Sequence, residues 1–158
     1  MTQQTSSPVE PQRLWAVAIG ISHYQSFPPL RFAATDGKAI GDFLTSPRGG
    51  SIPPDHIVTL YEGEATRTAV IKELANLRKR VQKGDTVYIF IAGHGYLEGN
   101  IGYFVPAEAT LDDIDVSAVP FSHLKDLIET NLIDARVRIL MTDLCNAGRI
   151  GPEQTDLT

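Results

Sequence analysis

The stretch "TVYIFIAGHGY", Thr86 to Tyr96, begins as an apolar run of strand length, Thr86–Gly93, and then sets a histidine between two glycines. A strand without polar alternation belongs where both faces of a sheet are covered by helices, which is the situation of a parallel sheet. The segments on either side fit that placement. "LWAVAIGI" (Leu14–Ile21) is a second continuous apolar run, and "HIVTLYE" (His56–Glu62) and "ARVRILMTDLC" (Ala135–Cys145) complete four expected strands. Between them lie helical spacings. Ala33, Ile40, Phe43 and Leu44 recur along "FAATDGKAIGDFLTS", weakened by two glycines, and Val70, Ile71, Leu74, Leu77 and Val81 share one face of "TRTAVIKELANLRKRV" behind a Thr66 cap. A third helix is expected over Ser122–Asn131, capped by Ser122, with a short strand or hairpin arm in "GYFVPAEAT" and an acidic loop in "TLDDIDVSAVP" before it. Strands alternating with helices give a three-layer α/β domain with a mostly parallel sheet and right-handed crossovers. In such sheets function lies beyond the carboxyl ends of the strands.

Composition narrows the classes of function. The chain has 158 residues, 42% of them hydrophobic and 21% charged, the profile of one globular domain with a real core. A net charge of -5 offers no broad basic surface, so neither nucleic acid nor an anionic membrane is expected as a partner. No apolar run reaches the roughly 20 residues that span a bilayer, and "MTQQTSSPVEPQR" has no secretion signal, so a cytoplasmic location is expected. Residues 1–12 are expected to form a flexible leader and residues 13–158 the folded domain.

Two residues on the expected rim carry chemistry. His94 follows the third strand, and a histidine there is either packing or a reagent. Its flanking glycines leave the backbone open to a substrate and its Gly95 amide free to point into the site. His23, His56 and His123 are expected to be surface or capping residues. Cys145, the single cysteine, excludes an internal disulfide and is either a small buried hydrophobe or a nucleophile. Together they make a reagent pair: an imidazole takes the thiol proton and later protonates a leaving amine, provided both emerge on one edge. The N–H groups of Gly95 and Cys145 are then natural donors to an oxyanion.

"LWAVAIGISHYQSFPPLRFAATDGKAI", "VYIFIAGHGY" and "ILMTDLCNAG" resemble, in this order, the hallmarks of the caspase-like cysteine peptidases, most nearly the metacaspases and orthocaspases. The spacing of about 50 residues from histidine to cysteine is also that of caspases. The resemblance covers nearly all of the chain after Arg13. It implies a caspase-like, flavodoxin-like fold and peptide hydrolysis, with Cys145 as nucleophile and His94 as general base. Metacaspases usually have His-Ser after the cysteine, where this chain has Asn146 and Ala147.

The resemblance also implies a specificity. Metacaspase-like enzymes have an aspartate two positions before the nucleophile and another in the segment matching "LRFAATDGKA", which fall on Asp143 and Asp36. Two carboxylates in one pocket attract a guanidinium or ammonium, so cleavage after Arg or Lys is expected. The plain alternative makes Asp36 a helix cap and Asp143 a turn residue. Arg31 lies near the place where caspases hold an arginine for aspartate, which keeps Asp specificity as a rival. Asp112, Asp113 and Asp115 are read as solvated surface and not as a calcium site, and no cofactor or metal is expected. In the family the sheet continues past the cysteine strand, so a p10-like C-terminal subunit, or a continuation of the same precursor, is the expected partner beside a peptide substrate. Two rival classes stand beside the peptidase. One is a catalytically silent caspase-like scaffold. The other is a flavodoxin-type binding module, which would lack a phosphate-cradling loop in "GISHYQS".

Overall fold

A computed structural model describes residues 12–146, with the side chains of Cys145 and Asn146 left aside. The expected leader, apart from Gln12, and the expected loop after Asn146 lie outside the described residues. The elements run β1 (Leu14–Gly20), α1 (Ala33–Thr45), β2 (Ile57–Tyr61), α2 (Arg67–Arg80), β3 (Thr86–Glu98), β4 (Ile101–Phe104), α3 (Ile114–Ser117), β5 (Val119–Pro120), α4 (Phe121–Asn131) and β6 (Val137–Asn146). The path β2-β1-β3-β4-β5 makes one sheet, and β6 pairs with β3. β1 pairs parallel to β2 and β3, and β3 parallel to β6, while β4 joins antiparallel to β3 and β5 to β4.

This is the expected α/β architecture, a mostly parallel sheet between two helical layers. Alternation along the strands divides the core. Trp15, Val17, Ile19, Val87, Ile89 and Ile91 face Val70, Leu74 and Leu77 of α2 and Leu124 and Ile128 of α4. Ala16 packs with Leu44, and Phe90 and Ala92 with Ala33 of α1, on the opposite face. Burial on both faces is why β1 and β3 read as unbroken apolar runs. Each buried Val or Ile contributes about 1.5–3 kcal/mol before entropy is subtracted. The Thr66 cap forms as expected, its hydroxyl accepting from Ala69 N at 3.1 Å.

The two glycines that weaken α1 as a helix are what seat it. A Cβ on Gly37 would stand 2.9 Å from the Cα of Gly20, so glycine on both sides brings α1 onto β1. Three expectations need correction. β3 does not stop at Gly93 but runs to Glu98, so His94 is inside the strand and not beyond it. The extension exists because β4 takes up pairing with Gly95–Glu98 where β1 has ended. α4 starts at Phe121 behind Pro120, with no side-chain cap, so Ser122 is a residue of the first turn and not the cap. The acidic loop, finally, includes α3 and the short β5. No described helix is long and apolar enough to cross a membrane.

Candidate active site

β3 positions the histidine and β6 the cysteine. The parallel ladder pairs Phe90 with Met141, Ala92 with Asp143, and His94 with Cys145. The two candidate reagents thus occupy directly opposed positions on neighbouring strands, one pair short of the end of the ladder.

His94 is held from several sides. Only 3% of it is exposed. Its backbone N–H donates to the hydroxyl of Tyr24 at 2.8 Å, and its carbonyl accepts from Val105 N at 3.0 Å. The Tyr24 hydroxyl donates in turn to the carbonyl of Ile21 at 3.1 Å. Tyr24 and Phe27 lie against the imidazole, with ring centroids 4.8 and 5.9 Å away. Gly93 makes room for this arrangement, because a Cβ there would stand 2.7 Å from the Tyr24 hydroxyl. From the sequence, the glycine is expected to open the backbone to substrate; within the described residues its role is to admit Tyr24.

The ring itself is oriented by the backbone. His94 Nε2 lies 2.8 Å from the carbonyl oxygen of Pro28. A carbonyl only accepts, so Nε2 carries the proton and Nδ1 of the neutral ring holds the lone pair. Nδ1 is buried and without a hydrogen-bond partner among the described residues. An orphaned buried nitrogen costs free energy unless something else uses it, and a lone pair held in a fixed direction is what a general base needs.

The two acidic candidates also come together. Asp36, in the first turn of α1, and Asp143 of β6 line one cavity of about 310 Å³ with Ala39, Ile40 and Phe90. Asp36 is half-buried and Asp143 exposed, and neither makes an ion pair among the described residues. Arg31 is exposed, with its guanidinium over the ring of Phe32 at 5.0 Å, and does not line this cavity. Alternation along β3 turns the His94 amide toward Tyr24 and therefore the Gly95 amide toward β6.

The other candidates fall elsewhere. Asp112, Asp113 and Asp115 are exposed, and the described residues contain no cluster of acids, His or Cys arranged to hold a metal. His56 stacks on Trp15 at 3.8 Å and His23 pairs with Glu62 at 3.1 Å. A larger cavity of about 600 Å³ opens on the other face of the sheet, lined by Ile91, Leu124, Ile128, Leu140 and Leu144. Among the described residues it touches Gly95 but none of His94, Asp36 and Asp143. The contribution of Pro28 and Tyr24 has no signal in the sequence, since "SHYQSFPPLR" reads only as a proline-punctuated loop.

Comparison with known proteins agrees with this geometry. No curated protein matches the chain. Among solved structures, the protein GSU0716 from Geobacter sulfurreducens is similar at a TM-score of 0.65 and 20% identity, over 87% of this chain and 52% of that one. The chain thus spans about half the length of that structure, and at this identity the likeness concerns the fold. The family match is broader, reaching from residue 13 to residue 156 on the caspase domain of peptidase family C14. On that match, and on a fold that agrees with it, this chain belongs to the caspase domain family.

Proposed function

We propose that the chain is the catalytic part of a cysteine endopeptidase of the metacaspase or orthocaspase type, cleaving after Arg or Lys. The observation that carries the reading is the buried Nδ1 of His94, without a partner among the described residues, on the strand that pairs His94 with Cys145. In this mechanism Nδ1 takes the thiol proton of Cys145 while the sulfur attacks the scissile carbonyl carbon. The N–H groups of Gly95 and Cys145 stabilise the oxyanion once the last pairs of the β3–β6 ladder, which they face, open to substrate. Collapse expels the amine, which receives the proton from His94, and leaves a thioester on Cys145. A water then gives its proton to His94 and attacks the thioester, releasing the acid and the free thiol.

The Pro28 carbonyl supports each transfer because it holds Nε2–H in place and so keeps Nδ1 aimed in one direction. Asp36 and Asp143 give the cavity beside the cysteine strand two negative groups and no positive one, which favours a cationic side chain. A C-terminal subunit is proposed as the protein partner. It is supported by β6 having β3 as its one strand partner among the described residues, and by Leu140 on β6 being 51% exposed.

The test is hydrolysis of paired fluorogenic peptides ending in Arg and in Asp by the chain with its native C-terminal continuation. Turnover of the Arg peptide that disappears in Cys145→Ala is the expected result. Asp143→Asn and Asp36→Asn should each lower kcat/KM for the Arg peptide by roughly 10- to 100-fold, as the loss of one charge-assisted contact implies. Turnover of the Asp peptide instead would keep the peptidase and remove the role of the two carboxylates. No turnover of either would favour the silent scaffold.

A further inference from the structure

We infer that Glu62, at the end of β2 and far along the chain from His94, is a positioning residue for the histidine's base function. The inference rests on the peptidase reading above for its kinetic consequence, though not for its geometry. One oxygen of the Glu62 carboxylate accepts from the backbone N–H groups of Ser22 and His23, at 3.0 and 2.9 Å, and the other meets the His23 ring at 3.1 Å. Ser22 is the closing point of a loop. Its carbonyl accepts from Leu30 N at 2.8 Å, and its hydroxyl accepts from Ala34 N at the start of α1, at 2.9 Å.

Within that closed loop lie both groups that fix His94. The Pro28 carbonyl selects the ring tautomer, and the Tyr24 hydroxyl holds the backbone amide. Glu62 is therefore the outer anchor of the segment whose inner side orients the base. The anchor is kept in a conformation that its own residue type disfavours. Glu62 has φ of +51°, uncommon for a residue with a long side chain, although Gly63 follows directly. Burial pulls its carboxyl upward, but the hydrogen bonds from His23 and Ser22 outweigh burial and hold it below the ordinary value. At neutral pH it is ionised, as three donors require.

The experiment compares Glu62→Ala with Glu62→Gln in the chain with its native C-terminal continuation. Glutamine keeps a carbonyl oxygen for the two backbone amides and should stay within about threefold of wild type, since one good acceptor is what both amides need. Alanine leaves both amides without their acceptor. Its kcat should fall by roughly 10- to 100-fold with KM within about twofold, the size expected when a reacting group is slightly misplaced.

Nitrogen NMR of the His94 ring in the Cys145→Ala background reads the same change without any catalysis. Wild type should show Nε2 protonated and Nδ1 bare, and Glu62→Ala a mixture of the two tautomers. Glu62→Asp, with its carboxylate drawn back by one methylene, gives a smaller step of the same kind if the alanine variant does not fold. A mixed tautomer in a protein that cleaves no peptide would keep the positioning role and sink the peptidase. Unchanged ring signals, or activity that falls only in proportion to the folded fraction, would overturn the positioning role.

Discussion

Two buried titratable side chains mark the third strand, one just before its first residue and one inside it, and the two are finished differently. At the amino end, Asp85 is 2% exposed and accepts from the Arg13 guanidinium, the Trp15 indole at 2.9 Å and the Gln82 amide at 2.8 Å. Further along, inside the strand, His94 is as deeply buried, yet one of its two ring nitrogens has no partner among the described residues. A buried group whose bonds are all made fastens a fold, whereas one left partly open is kept for another molecule or another step. The lower rim of this sheet is fastened, and the upper rim leaves a buried nitrogen open among the described residues.

The contrast is broken most sharply by mutating both ends and reading both stability and activity. His94→Ala should lower kcat by about 10²- to 10⁴-fold, the usual contribution of a positioned general base. It should cost little stability relative to its burial, because the ring it removes leaves no satisfied side-chain bond except that to the Pro28 carbonyl. Steady-state kinetics beside a denaturant titration checks both. A variant that unfolds in proportion to its lost activity would make His94 a packing residue.

Asp85→Asn is the complementary change. It should cost about 2 kcal/mol of stability while leaving the turnover of folded molecules unchanged, since the bonds from Arg13 are charge-assisted and lie at the far end of the strand. Its pH dependence has a definite sign. Burial raises the Asp85 carboxyl, but the bonds from Arg13, Gln82 and Trp15 together outweigh burial and leave it below its ordinary value. The unfolded chain then holds this proton at a higher pH than the folded one. The stabilisation is complete above about pH 4 and is lost as pH falls through the folded-state pKa. Asparagine does not titrate, so denaturation midpoints of wild type and variant should draw together in acid.

The same contrast explains what the sequence could and could not announce. Apolar runs such as Leu14–Ile21 and Thr86–Gly93 mark strands because burial on both faces leaves no polar position in them. Paired with "GHG" and "DLC" at their ends, they also locate His94 and Cys145. The rest depends on contacts that no local pattern records. β3 continues to Glu98 only because β4 folds back onto it, and glycines at 93 and 95 hide that continuation. The start of α1 is tied by the hydroxyl of Ser22, twelve positions upstream, where a cap search does not reach. Pro28 acts through a carbonyl, an atom that every residue has, so its identity carries no signal. Glu62 reads in the sequence as the end of a strand and nothing more.

The smallest expected effect separates the two explanations of Gly93. If the glycine serves to admit substrate, Gly93→Ala should raise KM and leave Tyr24 where it is. If it serves to admit Tyr24, as the 2.7 Å between an added methyl and the hydroxyl implies, the alanine must displace a group fixed by bonds to Ile21 and His94. Stability should then fall by about 1–2 kcal/mol and kcat by a few fold, through the loosened His94 amide. Tyr24→Phe removes the clashing atom together with that acceptor, so combining it with Gly93→Ala should cost less than the sum of the two changes. A coupling energy of about 1 kcal/mol in this double-mutant cycle is expected for groups in direct contact. Additive losses would return Gly93 to the substrate, and with it would go the view that the upper rim is built around Tyr24 before any substrate arrives.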